Sequence, residues 1–119
     1  MSPPATVRFR LRLAALSGAV AVAAGAFGAH ALAGRVPPER LQTWETAARY
    51  QLVHAVLLLI LARHDDPLAF RLIAAGTVIF AGSLYVLVLL DLPLLGAVTP
   101  VGGVCLILGW LALARGRAA

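Results

Sequence analysis

LAFRLIAAGTVIFAGSLYVLVLL, residues 68–90, carries Arg71 near its start and no other charged side chain. A helix of about 20 mostly apolar residues crosses a bilayer hydrocarbon core of roughly 30 Å, and this stretch meets that requirement alone. Three further apolar stretches accompany it in the 119-residue chain: Leu13 to Ala33, Ala47 to Ala62 and Leu94 to Ala114. A soluble domain this short hides only about two-thirds of its chain surface, too little to bury all four. The chain therefore reads as all-α, an integral membrane antiparallel four-helix bundle. A single membrane domain covers residues 1–119, with spans near 12–33, 41–63, 68–90 and 94–114.

Composition agrees. Hydrophobic residues make up 61% of the chain and charged ones 13%, and the mean hydropathy is +0.92, far from ordinary soluble domains. A net charge of +5 would suggest nucleic acid in a soluble protein. Here the arginines flank the apolar stretches, where positive charge sets membrane orientation, so no nucleic acid partner is expected. With four spans, Arg8, Arg10, Arg12, Arg63, Arg71, Arg115 and Arg117 share one side. Arg35, Arg40 and Arg49 lie on the other, partly offset by Glu39 and Glu45. That imbalance predicts a multi-pass protein of the cell (inner) membrane with both termini cytoplasmic. The first stretch has a second reading. Arg8, Arg10 and Arg12 followed by an apolar run and Ala29-His30-Ala31 are the parts of a secretory signal peptide. The run is longer than the usual apolar region of about 7–15 residues, which favours a retained helix.

Small residues and turn formers organise the spans. Ser17, Ala21, Gly25 and Ala29 recur every fourth residue and predict a close-packing face on the first helix. Gly34 predicts its stop, and Pro37-Pro38 a short connection. A second helix from near Pro38 to Arg63 would be about 37 Å long, so its first turns should rise above the hydrocarbon, with Trp44 as an interfacial anchor. His64-Asp65-Asp66-Pro67 predicts the next turn, and Asp91 with Leu92-Pro93 another. In the fourth helix, Thr99-Pro100 predicts either an N-cap with proline at the first helical position or a kink. Gly102, Gly103 and Gly109 supply it with a packing surface, and Trp110 approaches the cytoplasmic interface.

Any chemistry must come from polar residues in the spans. His30 lies near the outer end of helix one, and Glu45, Arg49, Tyr50, Gln51 and His54 are assigned to the outer half of helix two. Glu45 and Arg49 stand four apart in the favourable order, as do Tyr50 and His54 on another face. Thr43, Ala47, Tyr50 and His54 form a seam expected to face helix one and to bring His54 towards His30. Ser83 and Tyr85 add hydroxyls. Ionisable residues in a span mark an ion path, relay or ligand site; interhelical hydrogen-bonding glue is the plainer alternative. Two histidines fall short of the three or four ligands zinc takes, and no cofactor is specified. No nucleophile, base and orienting group stand together in the pattern, so no enzymatic activity is expected.

Gly25-Ala26-Phe27-Gly28-Ala29-His30-Ala31-Leu32 resembles the first-helix signature of the YgdD/YwdK-like family of small bacterial inner-membrane proteins. The resemblance continues through residues 41–55, LQTWETAARYQLVHA, then Phe80-Ala81-Gly82-Ser83-Leu84-Tyr85, Thr99-Pro100-Val101-Gly102-Gly103 and Gly109-Trp110. It covers nearly the whole chain in order, and a small mitochondrial transmembrane protein family looks similar. It implies four membrane helices and an unknown function. The family pattern maps onto His30, Glu45, Tyr50, Gln51, His54, Ser83 and Tyr85, with Trp44 where a phenylalanine-like aromatic is usual. Two functions follow as expectations. One is a binding module whose outer polar site takes a proton, metal ion or small ligand. The other is a structural or accessory subunit that docks, as a homo-oligomer or on a membrane protein partner, within the lipid bilayer.

Overall fold

The computed structural model describes residues 2–116; Met1 and residues 117–119, Arg117 among them, lie outside the described residues. Four helices follow one another: α1 (Ala5–Phe27), α2 (Pro38–Leu61), α3 (Pro67–Leu90) and α4 (Thr99–Leu113). α1 runs on into a wider π-helical turn, Gly28–Leu32, and a 3-10 turn, Pro93–Ala97, precedes α4.

The ends follow from local chemistry. Pro4 holds extended backbone before Ala5, and nothing between Ala5 and Leu13 breaks a helix. The basic cluster therefore lies inside α1, several residues ahead of the apolar run. Gly34 stops the chain with φ +82°, a conformation that costs a side chain strain. α2 and α3 each begin with proline at the first helical position, where the missing N–H is no loss. Asp66 caps α3 by accepting from the Ala69 amide at 3.2 Å. Asp91 ends it in the left-handed region, φ 52°. Thr99 is not the cap of α4. Its hydroxyl donates back to the Leu95 carbonyl at 3.2 Å and meets Ser83 Oγ at 2.6 Å, so Val98 occupies the cap position without a side-chain bond.

Each helix packs antiparallel on the next. α1 meets α2 through Ala14, Gly18, Ala21, Ala24 and Gly28, with Trp44, Ala48, Gln51 and Ala55 opposite. The stripe of every fourth residue is thus corrected beyond Ala21. Gly25 has open space beside it and Ala29 is exposed, because a 3.6-residue helix rotates such a stripe off its partner. Trp44 is corrected too. It is buried, not interfacial: Gly28 leaves a slot in which a Cβ would lie 2.6 Å from Trp44 Cδ1, and the indole N–H donates to the Ala24 carbonyl at 2.7 Å.

α3 and α4 lock most closely. Leu106 lies where a Cβ on Gly76 would be, 2.9 Å away; Gly109 accommodates Ile73 at 2.5 Å; and Gly102 faces the Phe80 backbone directly. Such approach is the way helices associate without a hydrophobic drive between them. The array does not close. Among the described residues no Cα of α1 lies within 8 Å of one in α3 or α4, and the molecule is a slab of 48 × 29 × 18 Å. α1 and α3 therefore run parallel with α2 between them.

Residues 5–32, 67–90 and 93–113 form three helical stretches long and apolar enough to cross a membrane. α2 has the length, about 36 Å at 1.5 Å per residue, but Glu45, Arg49, Gln51 and His54 dilute its apolar run. For α1 and α3 to cross in one direction, α2 must return the chain.

Two glycine substitutions separate the close contacts from the open ones. Gly102→Leu drives a side chain into the Phe80 backbone and should destabilise the fold by about 1–3 kcal/mol or more. Gly25→Ala meets nothing and should leave stability unchanged or raise it by up to about 1 kcal/mol. Melting of both variants in detergent measures the difference.

Candidate functional site

α2 carries the polar side chains, and its helical turn distributes them to three neighbours. Gln51 is buried, with 8% of its surface exposed. Its carbonyl accepts from the Tyr85 hydroxyl of α3 at 2.6 Å. Its amide donates to the Ser17 carbonyl of α1 at 3.1 Å and reaches Ser17 Oγ at 3.3 Å. One carboxamide thereby joins three helices. Two turns earlier, Trp44 meets Tyr85 at a tilt with ring centres 4.6 Å apart, and Tyr50, next to Gln51, stacks on Phe80 at 4.7 Å.

His54 points to α4. The indole N–H of Trp110 is only a donor and reaches His54 Nε2 at 3.0 Å. Nε2 therefore accepts, and the proton of the neutral ring sits on Nδ1, which donates to the Tyr50 carbonyl at 2.7 Å. Both ring nitrogens are engaged. A metal at Nε2 would first have to displace Trp110, and among the described residues no three His, Cys, Asp or Glu side chains gather as a metal-holding group.

The expected outer-side cluster is dispersed. Ser17 beside Gln51 and Ala24 beside Trp44 place His54 level with the Ala14 turn. About 24 Å of helix rise at 1.5 Å per residue separates that turn from His30. His30 is exposed on the π-helical turn, and His54 lies in the half of α2 nearer the termini. The seam of Thr43, Ala47, Tyr50 and His54 turns to α3 and α4 instead of α1; the face against α1 is Trp44, Ala48, Gln51 and Ala55. Glu45 and Arg49 are both exposed, and no ion pair within 4 Å joins them. Arg49, Tyr50, Val53 and His54 share a separate hollow of about 220 Å³. Ser83 bonds Thr99 and the Phe80 carbonyl.

Several partners escape a reading of the sequence. Ser17 looks like one small residue in a stripe, and Trp110 like an interfacial aromatic. Asp66, one of two adjacent aspartates in a turn, is 1% exposed and takes Arg115 at 2.7 Å. The signal in each case is a donor and an acceptor at matched depth on different helices, which needs the register to be known.

A groove lies between α1 and α3 because their backbones do not pack on each other. α2 floors it with Gln51 and Leu58, while Leu13, Leu16, Val20, Ala74 and Val78 wall it. Adjoining cavities of about 510, 300 and 210 Å³ share these walls. The groove runs from Arg10 and Arg71 near the chain termini to Tyr85 in the last two turns of α3.

A family profile described as "Protein of unknown function (DUF423)" matches residues 24–103. The chain is similar to the UPF0382 membrane protein SAB0533 of Staphylococcus aureus, 43% identical over 85% of this chain and 88% of that one. It is 42% identical to the UPF0382 membrane protein YwdK of Bacillus subtilis, over 83% of this chain and 87% of the relative. The UPF0382 membrane protein SERP0230 of Staphylococcus epidermidis is 41% identical over 85% and 88%. No solved structure matches the chain. The matched segment contains His30, Glu45, Arg49, Tyr50, Gln51, His54, Ser83 and Tyr85, but not Ser17 or Trp110.

The three-helix tie makes an energetic expectation. Tyr85→Phe and Gln51→Met should each destabilise the bundle by about 0.6–1.7 kcal/mol, the scale of interhelical hydrogen bonds in lipid. The double variant should cost less than the sum of the two. Reversible unfolding in mixed micelles, run as a double-mutant cycle, measures the coupling.

Proposed function

The chain belongs to the DUF423 family, and from the geometry of this member we propose a non-enzymatic inner-membrane binding protein whose groove between α1 and α3 holds a lipid acyl chain. Both termini lie in the cytoplasm in this reading. The observation that carries it is the largely apolar groove left open between α1 and α3, whose backbones do not pack together, with α2 as its floor. In a bilayer such a groove is filled, and an acyl chain matches its apolar walls.

The polar residues support a holding role over a transporting one. Gln51, Tyr85, Ser17, His54 and Trp110 satisfy one another across helices, as buried polar groups in lipid must. They form separate ties and not a continuous polar path from one end of the bundle to the other. The reading without catalysis rests on the same pairing: His54, the buried base, is occupied on both nitrogens by groups that keep the helices together.

Charge supports the orientation. The end bearing the termini presents Arg8, Arg10, Arg12, Arg63, Arg71 and Arg115. The opposite half carries Arg35, Arg40 and Arg49, of which Arg40 is paired with Asp91 at 3.1 Å, as Arg115 is with Asp66 at the end bearing the termini. An excess of arginine in short flanking segments is retained on the cytoplasmic side.

Phospholipids with a photoactivatable diazirine on the acyl chain test the reading in reconstituted vesicles. We expect labelling to concentrate on peptides containing Leu13–Val20 and Ala74–Val78, and to fall when Val78→Trp fills the groove. Labelling spread evenly over these segments and the outer face of α4, at Ile107 and Leu111, would contradict it.

A further inference from the structure

We propose that Arg10 and Arg71, at the end of the groove nearest the termini, bind the phosphate of an anionic phospholipid. The inference rests on the acyl-chain reading of the groove and adds a headgroup class and two residues that select it.

Arg10 on α1 and Arg71 on α3 both line the cavity of about 510 Å³ at this end of the groove, together with Phe9, Leu13, Phe70 and Ala74. Neither forms an ion pair with a carboxylate within 4 Å among the described residues. This contrasts with Arg40 and Arg115, which hold Asp91 and Asp66. The Arg10 guanidinium is positioned over the Phe70 ring, 5.3 Å from its centre. Stacking of this kind fixes the planar group while leaving its edge N–H donors unused. Those donors form the fork that recognises phosphate oxygens in pairs.

Depth agrees with the chemistry. Arg10 and Arg71 each stand within about two turns of the start of their helix, at the headgroup level of a span. Past them the walls become mostly apolar, Leu13, Leu16, Val20, Ala74 and Val78, with the hydroxyls of Ser17 and Thr77 near Gln51. Positive charge at one end of an apolar channel is complementary to a molecule with an anionic head and a hydrocarbon tail. The headgroup end is also the arginine-rich end, facing the leaflet in which anionic lipids attract basic segments. Free phosphate shares the headgroup chemistry but leaves the apolar walls uncovered.

Native mass spectrometry of the full chain tests this. The protein is released from vesicles containing equal amounts of phosphatidylglycerol and phosphatidylcholine with matched acyl chains. We expect retained phosphatidylglycerol to exceed phosphatidylcholine at least about tenfold, the order for two arginines at an anionic surface. In the R10Q/R71Q double variant the ratio should fall towards one while total retained lipid changes little. Arg63→Gln, at the same end but outside the groove, should leave the ratio unchanged, and melting of each variant verifies its fold. R10K/R71K should fall between the parent and the glutamine variant, because charge survives and the fork does not. Equal retention of the two lipids in the parent, or a preference that R10Q/R71Q does not lower, overturns the headgroup site and leaves the acyl-chain groove standing. Retention of neither lipid overturns both. Displacement of the lipid by millimolar inorganic phosphate alone would overturn the assignment of a phospholipid.

Discussion

Water is absent from most of this molecule's surroundings, and that constraint governs every contact described above. Between membrane helices the hydrophobic effect offers no net attraction, since lipid tails are as apolar as leucine. Cohesion must come from close approach of backbones and from hydrogen bonds that would otherwise be unmade. The chain uses each where its residues permit. α3 and α4 have glycines at the crossing, and Gly102 lets the Phe80 backbone approach directly. α1 and α2 add to their glycine contacts at Gly18 and Gly28 a buried carboxamide that also has a partner on α3. Gln51 is thus a structural residue first, although its position in the middle of a span would also suit a ligand.

The two devices have different geometric consequences. Glycine contacts draw two helices together along their length and leave no room between them. A side-chain bond holds helices at the distance of a glutamine. Gln51 reaches Ser17 on one side and Tyr85 on the other, so α1 and α3 are each joined to α2 while their backbones stay apart. The groove follows from that spacing. Its walls are mostly valine, leucine and alanine, with Ser17 and Thr77 among them, and its polar floor is already satisfied.

Much of the architecture is legible in the residues. Residues 68–90 identify a span by length and composition, Pro37-Pro38 and Asp66-Pro67 mark the starts of α2 and α3, and Gly34 marks the stop of α1. The glycines of α4 announce a packing face. The candidate site is legible only as a set of residue types. His30 and His54 both look like members of one outer cluster, yet the register of α1 on α2 sets them far apart. Glu45 and Arg49 have the spacing of an ion pair and do not form one, because both side chains are free to point outward. Trp44 looks like an anchor at the interface and is a core residue, since the slot at Gly28 lies on a different helix.

The amino-acid order alone determines that this chain is helical, that it lives in a membrane, that its family is the one its helix-two motif resembles, and where α2 and α3 begin, although not that α1 starts as early as Ala5 or α4 as late as Thr99. These properties depend on local quantities: the length of an apolar run, a proline's fixed φ, a glycine's freedom. Only the tertiary structure decided that Gln51 joins three helices, that Trp110 sets the tautomer of His54, and that Arg10 and Arg71 line one cavity. Those relations depend on the rotation and register of one helix against another. Register is set by where a missing side chain on one helix receives a large one from its neighbour, and no single helix contains that information.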